Sequence, residues 1–207
     1  MSAALPAGCI VGLDLSLTST GIAVLTPCAN GVRPIRLRSV GEDGRRDDDY
    51  QRRSRRVRAQ ASAVLRTVMD ATDGGHIALV VLEGPIYAGK LLPSYFDRAG
   101  LFHGVYGAFD ARDVPIAVIP NNTGHQFVTG RARPADSKKS DIVEEAAKWW
   151  PNGPRVHNSD EADALGLAVM GAMHLGHKPP FWPRARHYNA IASASWPGGP
   201  RKLGQWA

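Results

Sequence analysis

The chain has 207 residues, 43% of them apolar and 21% charged, with a formal net charge of +6 and a sequence pI near 9.6. That length supports one substantial core with a loose tail, and the composition excludes a wholly disordered chain. No apolar run reaches bilayer length, and the N-terminus lacks a basic start and cleavage pattern. The two cysteines, Cys9 and Cys28, form neither a C-x-x-C pair nor a zinc spacing. These features set aside a membrane-spanning protein, a disulfide scaffold and a zinc module, and they fit a soluble cytoplasmic chain. The basic surplus suits a polyanionic partner, either nucleic acid or an anionic membrane.

An apolar run from Cys9 to Leu13 leads straight to Asp14. A Ser/Thr-rich turn over 16–20 follows, then a second apolar run from Gly21 to Leu25, which predicts two strands joined by a short turn. Ile35, Leu37 and Val40 allow a third, so the chain opens with an antiparallel meander. Residues 41–58 are almost entirely charged. From about Asp49 a helical period sets in, with Val57, Ala61, Val64, Leu65 and Val68 on one stripe, and Asp73-Gly74-Gly75 stops it. The run IALVVLE, bounded by glycine and by Gly-Pro, reads as a strand buried on both faces.

A helix is predicted over 97–111 and another buried strand over 116–120. Ser140 can cap a helix that runs to about Trp150, and Ser159 can cap a final helix to about Leu175. Past Gly176 the composition shifts to Pro, Gly, Trp and Arg with no steady period. Residues 1–175 are thus expected to form one domain, and 176–207 a basic Pro/Trp-rich tail or arm. The element order is that of an α/β protein, with strands 9–14 and 77–83 adjacent at the sheet centre.

Asp14 and Glu83 are each the first charged residue after an uninterrupted apolar run. If their strands are parallel neighbours, both carboxylates lie at the C-terminal sheet edge, where open α/β sheets bind ligands. Asp160 and Asp163, three apart at a helix start, share one helical face. The apolar side of that helix, with Leu165, Val169 and Met173, must pack on the sheet and can bring both acids to the same edge. Singly, Asp14 could just begin a turn and Asp160 could cap a helix. Together, four clustered carboxylates repel one another unless a cation neutralises them. An all-oxygen donor set points to Mg²⁺ or Mn²⁺, with room for two ions about 3.5–4 Å apart, a geometry suited to phosphodiester hydrolysis.

The segments GLDLSLTSTGIAV, VLEGPIY, ADSKKSDIVEEAAKWW and DEADALGLAVMG, in this order and spacing over roughly residues 8–175, resemble RuvC-type Holliday junction resolvases of the ribonuclease H-like superfamily. The resemblance implies a ribonuclease H-like fold: a mixed central sheet, antiparallel meander then parallel strands, flanked by helices. It implies that Asp14, Glu83, Asp160 and Asp163 bind the metals and that Lys139 lies near the scissile phosphate. It further implies a homodimer nicking symmetric strands of a four-way DNA junction, in a bacterial cell or a phage-infected host. Leu15-Ser16 stands where many relatives have Pro-Gly. Tyr87 stands about one position from the family's aromatic wedge, and His125 aligns with a DNA-contacting lysine.

Arg131, Arg133, Lys138 and Lys139 surround a Gly/Pro-containing loop and are expected to contact phosphate, although such a run can equally be a solvated loop. Arg52, Arg53, Arg55, Arg56 and Arg58 either line a DNA path or balance Asp47, Asp48 and Asp49. Tyr87 can stack on an unpaired base or cap the core. Trp149 and Trp150 suit core or dimer packing. Alternatives to a junction resolvase are a ribonuclease H-like nuclease acting on flaps, forks or RNA–DNA hybrids, and an actin-like ATPase. The ATPase needs two lobes and a second phosphate loop after a strand, whereas Asp73-Gly74-Gly75 precedes its strand.

Overall fold

The computed structural model describes residues 7–85, 94–131 and 138–199. Strands β1 (Cys9–Asp14), β2 (Thr20–Cys28) and β3 (Gly31–Val40) form the antiparallel meander. Helix α1 (Tyr50–Thr72) returns the chain, and β4 (Ile77–Glu83) then pairs with β1 in parallel. After α2 (Tyr95–Asp110), β5 (Ile116–Ile119) runs parallel to β4, giving the sheet order β3-β2-β1-β4-β5. Helices α3 (Asn121–Thr129), α4 (Lys139–Ala147), α5 (Ser159–His174) and α6 (Ala185–Ala192) follow. The fold is the mixed α/β arrangement that the hydrophobic pattern predicts, with β1 and β4 adjacent and central.

Local chemistry sets the element ends. The Asp49 carboxylate accepts the Arg52 amide N–H at 2.7 Å and opens α1. Asp73 and Gly74, at φ of 50° and 65°, close it in the left-handed region that a helix C-terminus uses. The α5 cap is Asn158, one residue before the expected Ser159: its carboxamide oxygen accepts the Glu161 N–H at 2.9 Å. Helix α4 likewise starts at Lys139, with Lys138 rather than Ser140 at the capping position.

Strand alternation divides the core into two layers. Val11, Leu13, Val80 and Leu82 pack beneath α1 and α2, whereas Ile10, Leu79 and Val81 face the layer of α3 to α6. Continuing the second row by two residues puts Asp14 and Glu83 on the α5 side of the sheet. Helix α5 is buried along nearly its whole length and lies against the strands through small residues. A Cβ on Gly12 would collide with the Ala164 carbonyl and the Ala168 amide, and one on Gly171 would meet Val81 and Ile10. Leu165, Val169 and Met173, the stripe expected on the sheet, are buried in the same core.

Gly21, paired with Asp14 across the hairpin, has the Asp160 carbonyl where its Cβ would stand. The expected result of Gly21→Ala is a displaced α5 N-terminus and a Tm lowered by roughly 2–10 °C, as for one methyl forced into a filled core. An unchanged melting curve contradicts that packing.

The turn after Asp14 is held from beneath. Thr20 Oγ1 donates to the Ser16 carbonyl at 2.6 Å, and the buried Gln60 of α1 donates Nε2 to Ser16 O, Thr20 Oγ1 and Val40 O at 3.2, 3.0 and 2.6 Å. These bonds fix a turn that has Leu15-Ser16 in place of Pro-Gly.

The stretch after Gly176 is not a loose tail over its described part. Ile191 and Ala190 of α6 join the main core, and the His187 ring lies 4.9 Å from that of Phe127. The Arg186 guanidinium donates to the Phe127 and Val128 carbonyls at the end of α3, at 3.4 and 3.3 Å. Trp196 stacks on His174 at 4.2 Å. Buried histidines and a half-buried tryptophan serve as anchors, so no apolar period marks the segment. Among the described residues, no helix is long and apolar enough to cross a membrane.

Candidate active site at the sheet edge

Leu13 and Leu82 are register partners in the parallel β1–β4 pair, so the next residues, Asp14 and Glu83, sit side by side. Burial first, and then the adjacent Glu83 carboxyl, holds the Asp14 carboxyl well above its usual range. Asp163 and Asp160 add to that repulsion from α5. The Asp163 carboxyl is itself pushed up to about 7, first by burial, then by the charges of Glu83 and Asp160, with Lys139 opposing. The charges of Glu83, Asp160 and Asp163 thus reach Asp14, and Lys139 lies close enough to Asp163 to oppose those that reach it.

Two cavities meet here. The larger, about 560 Å³, is lined by Asp14, Glu83 and Asp160 together with Arg98, Asn121 and Lys139. The smaller, about 260 Å³, is lined by Asp160, Asp163, His125, Lys138 and again Asn121 and Lys139. Asp160, Asn121 and Lys139 thus form the wall between them.

Among the described residues, no group of three or more Asp, Glu, His or Cys side chains is arranged to hold a metal ion. The donor chemistry fits a hard divalent ion, because the four acids are all oxygen donors and, among the described residues, none of them is in a salt bridge.

Asn121 escaped the sequence reading. Its Nδ2 donates to Glu83 Oε1 at 2.5 Å. Ile119 is the register partner of Glu83, so the residue two beyond it, at the start of α3, is carried to the same edge. The available signal was the end of a third parallel strand, which delivers polar residues to the same crevice as the first two. If Glu83 acts in a metal site, Asn121→Ala is expected to lower activity or metal affinity about 10–100-fold, the usual scale for a partner that orients a ligand. Measured Mg²⁺ titrations equal to the unaltered protein contradict this.

The structure separates the other candidates. Lys138 and Lys139 sit at the start of α4, facing the acids. His125 is buried in α3 on the same cavity, and burial plus the Arg131 charge lowers its pKa, so it is neutral at neutral pH. Arg131 is half exposed and pairs with Asp141 at 2.6 Å. Tyr87 and Arg133 lie outside the described residues. Trp149 is a core residue, edge-on to Phe127. Glu161, beside the acids in sequence, is buried and accepts the His157 amide N–H at 2.8 Å, a tie of the α5 N-terminus.

These elements define a ribonuclease H-like fold with acidic residues gathered at its sheet edge. Thermus thermophilus RuvC in complex with a Holliday junction substrate superposes with a TM-score of 0.59 at 16% identity, over 94% of this chain and 99% of that one. Thermus thermophilus RuvC alone gives 0.56 at 17%, over 93% and 99%. The yeast mitochondrial Holliday junction resolvase Ydc2 gives 0.50 at 17%, over 81% and 78%. The chain has the fold of the RuvC-type resolvases. Neither a protein-family model nor a curated protein sequence matches it.

Proposed function

We propose that the protein is a crossover junction endodeoxyribonuclease, a divalent-metal-dependent phosphodiester hydrolase that resolves Holliday junctions and related branched DNA. It acts as a homodimer and makes paired symmetric nicks. The observation that carries this proposal is the gathering of Asp14, Glu83, Asp160 and Asp163 at one edge of a RuvC-like sheet, with Lys139 on the same two cavities.

The four carboxylates are the residues that hold the ions, Mg²⁺ with Mn²⁺ as a substitute, two per site. Such ions supply a water of lowered pKa and charge neutralisation at the leaving oxygen. Asp14 and Glu83 contribute from rigid neighbouring strands, and Asp160 and Asp163 from successive turns of α5. Asn121 fixes the Glu83 carboxylate. Lys139 meets the negative charge of the scissile phosphate, and its nearness to Asp163 supports that role. Lys138, Arg131 and Arg133 contact flanking phosphates, neutral His125 offers a hydrogen bond rather than a charge, and Tyr87 stacks on a base near the junction centre.

Substrate choice is tested by comparing Mg²⁺-dependent rates on a four-way junction, a fork, an RNA–DNA hybrid and a linear duplex. The junction is expected to be cut fastest by at least about tenfold, a differential transition-state binding of ~1.4 kcal/mol. Equal rates on linear duplex contradict the resolvase and leave a less selective nuclease.

A further inference from the structure

Away from the acids, the charged segment 41–58 builds a cavity of about 400 Å³ between the loop after β3 and the first turns of α1. Arg52, Arg55 and Arg56 recur at helical i, i+3 and i+4 spacing, so they form one stripe along that wall, and Arg45 joins them from the loop. The ridge through Arg52 and Arg56 continues at four-residue spacing into the buried Gln60, Val64 and Val68, so α1 passes from this charged cavity into the core along one side.

Most of these cations are not matched by acids. Among the described residues, Arg45, Arg52 and Arg55 make no ion pair, and Arg56 has one loose pair with Asp97 at 3.8 Å. Arg53, by contrast, is taken up by a bond to Asp97 at 2.9 Å. The Arg56 Nε is buried with no hydrogen-bond partner, and its guanidinium lies where a Cβ on Gly44 would stand. A buried donor without an acceptor calls for a ligand that supplies one. Of the acids on this cavity, Asp48 accepts the Arg45 amide N–H at 2.8 Å, while Glu42 and Asp43 are exposed and leave the four arginines in excess.

We propose that this cavity binds a backbone phosphate of a duplex DNA arm flanking the cleavage point. The inference rests on the nuclease function proposed above and extends it to a second contact surface. Guanidinium forks suit phosphate oxygens in bidentate geometry, and a Gly44 without a side chain leaves the backbone room to close over them. Two contacts tie this region to the turn that follows Asp14. Gln60 lies one turn beyond Arg56 on α1 and bonds to Ser16, two residues after Asp14. Gly41, at the start of the loop, lies against the Thr18 carbonyl of that same turn.

The test uses the full chain with Asp14→Asn, to prevent cutting, and a fluorescent four-way junction titrated at several salt concentrations. Changing Arg52, Arg55 and Arg56 together to Gln is expected to weaken binding at least tenfold and to reduce the slope of log Kd against log salt by about one to two, one phosphate contact contributing ~0.9. Changing them to Lys keeps the charge, recovers most of the slope and leaves part of the affinity loss, because the fork is gone. The Lys variant also controls for misfolding of the Gln variant. Wild-type slope and affinity in a folded Gln variant overturn this site while leaving the nuclease function intact. Absence of any junction binding by the Asp14→Asn chain overturns both. Equally Arg-dependent binding to phosphatidylglycerol vesicles overturns the assignment to DNA.

Discussion

Replacing Asp14 with Asn, or Glu83 with Gln, is expected to reduce junction cleavage by about a thousandfold or more while leaving junction binding within about twofold. The magnitude follows from the several kcal/mol that a well-held metal contributes to a phosphoryl transition state, at tenfold per ~1.4 kcal/mol. The retained binding follows from position. Both residues are the last of buried strands, and neither offers a positive group to the DNA that the proposal assigns to the lysines and arginines around them. Both substitutions also remove a like charge from a crowded edge, so the metal-free variants are expected to melt no lower than the parent. Cleavage at the parental rate by either variant would exclude the carboxylate site as the seat of chemistry.

The second large effect is a pH dependence of stability in the metal-free protein. The Asp163 carboxyl titrates near 7 when folded and near 3.8 in an unperturbed chain, owing to burial and the charges of Glu83 and Asp160. The folded state therefore holds a proton that the unfolded state has released. The associated stability is fully present below about pH 4 and is lost as the pH rises through about 7, with Asp14 acting in the same direction. Allowing for residual solvent screening, Asp163 alone accounts for about 2–4 kcal/mol between pH 4 and 8. Asp141, whose carboxyl is lowered by the Lys138 amide and by Arg131, works with the opposite sign at acid pH. The measurement is therefore a difference. Denaturant unfolding of the chain and its Asp163→Asn variant in EDTA should show the variant gaining on the parent from pH 4 to 8. Added Mg²⁺ should raise the parent's stability at pH 8 through preferential binding to the folded state. A pH-independent difference between the two chains contradicts the coupling of Asp163 to its neighbours.

The two strand acids were the most legible part of the site. An apolar run interrupted by its first charge marks where a buried strand leaves the core, and strict alternation carries Asp14 and Glu83 onto one face. Asp160 and Asp163 were legible from helical spacing. The closeness of α5 to the sheet was not, because it depends on Gly12 and Gly21 meeting backbone atoms of a helix some 150 residues distant in sequence. Helix α3 was missed because NNTGHQFVT is short, starts at Pro120 and lacks an apolar period, so Asn121 was hidden with it. Helix α6 was missed for a related reason: His187 and Trp196 bury themselves through ring stacking, and polar residue types do not announce a core. The capping residues were off by one or two positions, since Asn158 and Ser159 are chemically equivalent candidates until the backbone chooses.

The central claim is a carboxylate site that cuts branched DNA symmetrically, and one measurement addresses it most directly. A synthetic four-way junction, labelled in turn on each strand, is incubated with the chain with and without Mg²⁺, and the nick positions are mapped. Paired nicks at symmetric positions on opposite strands, present only with the metal, are the expected result. Cleavage that persists in EDTA, or nicks scattered without symmetry, would contradict it.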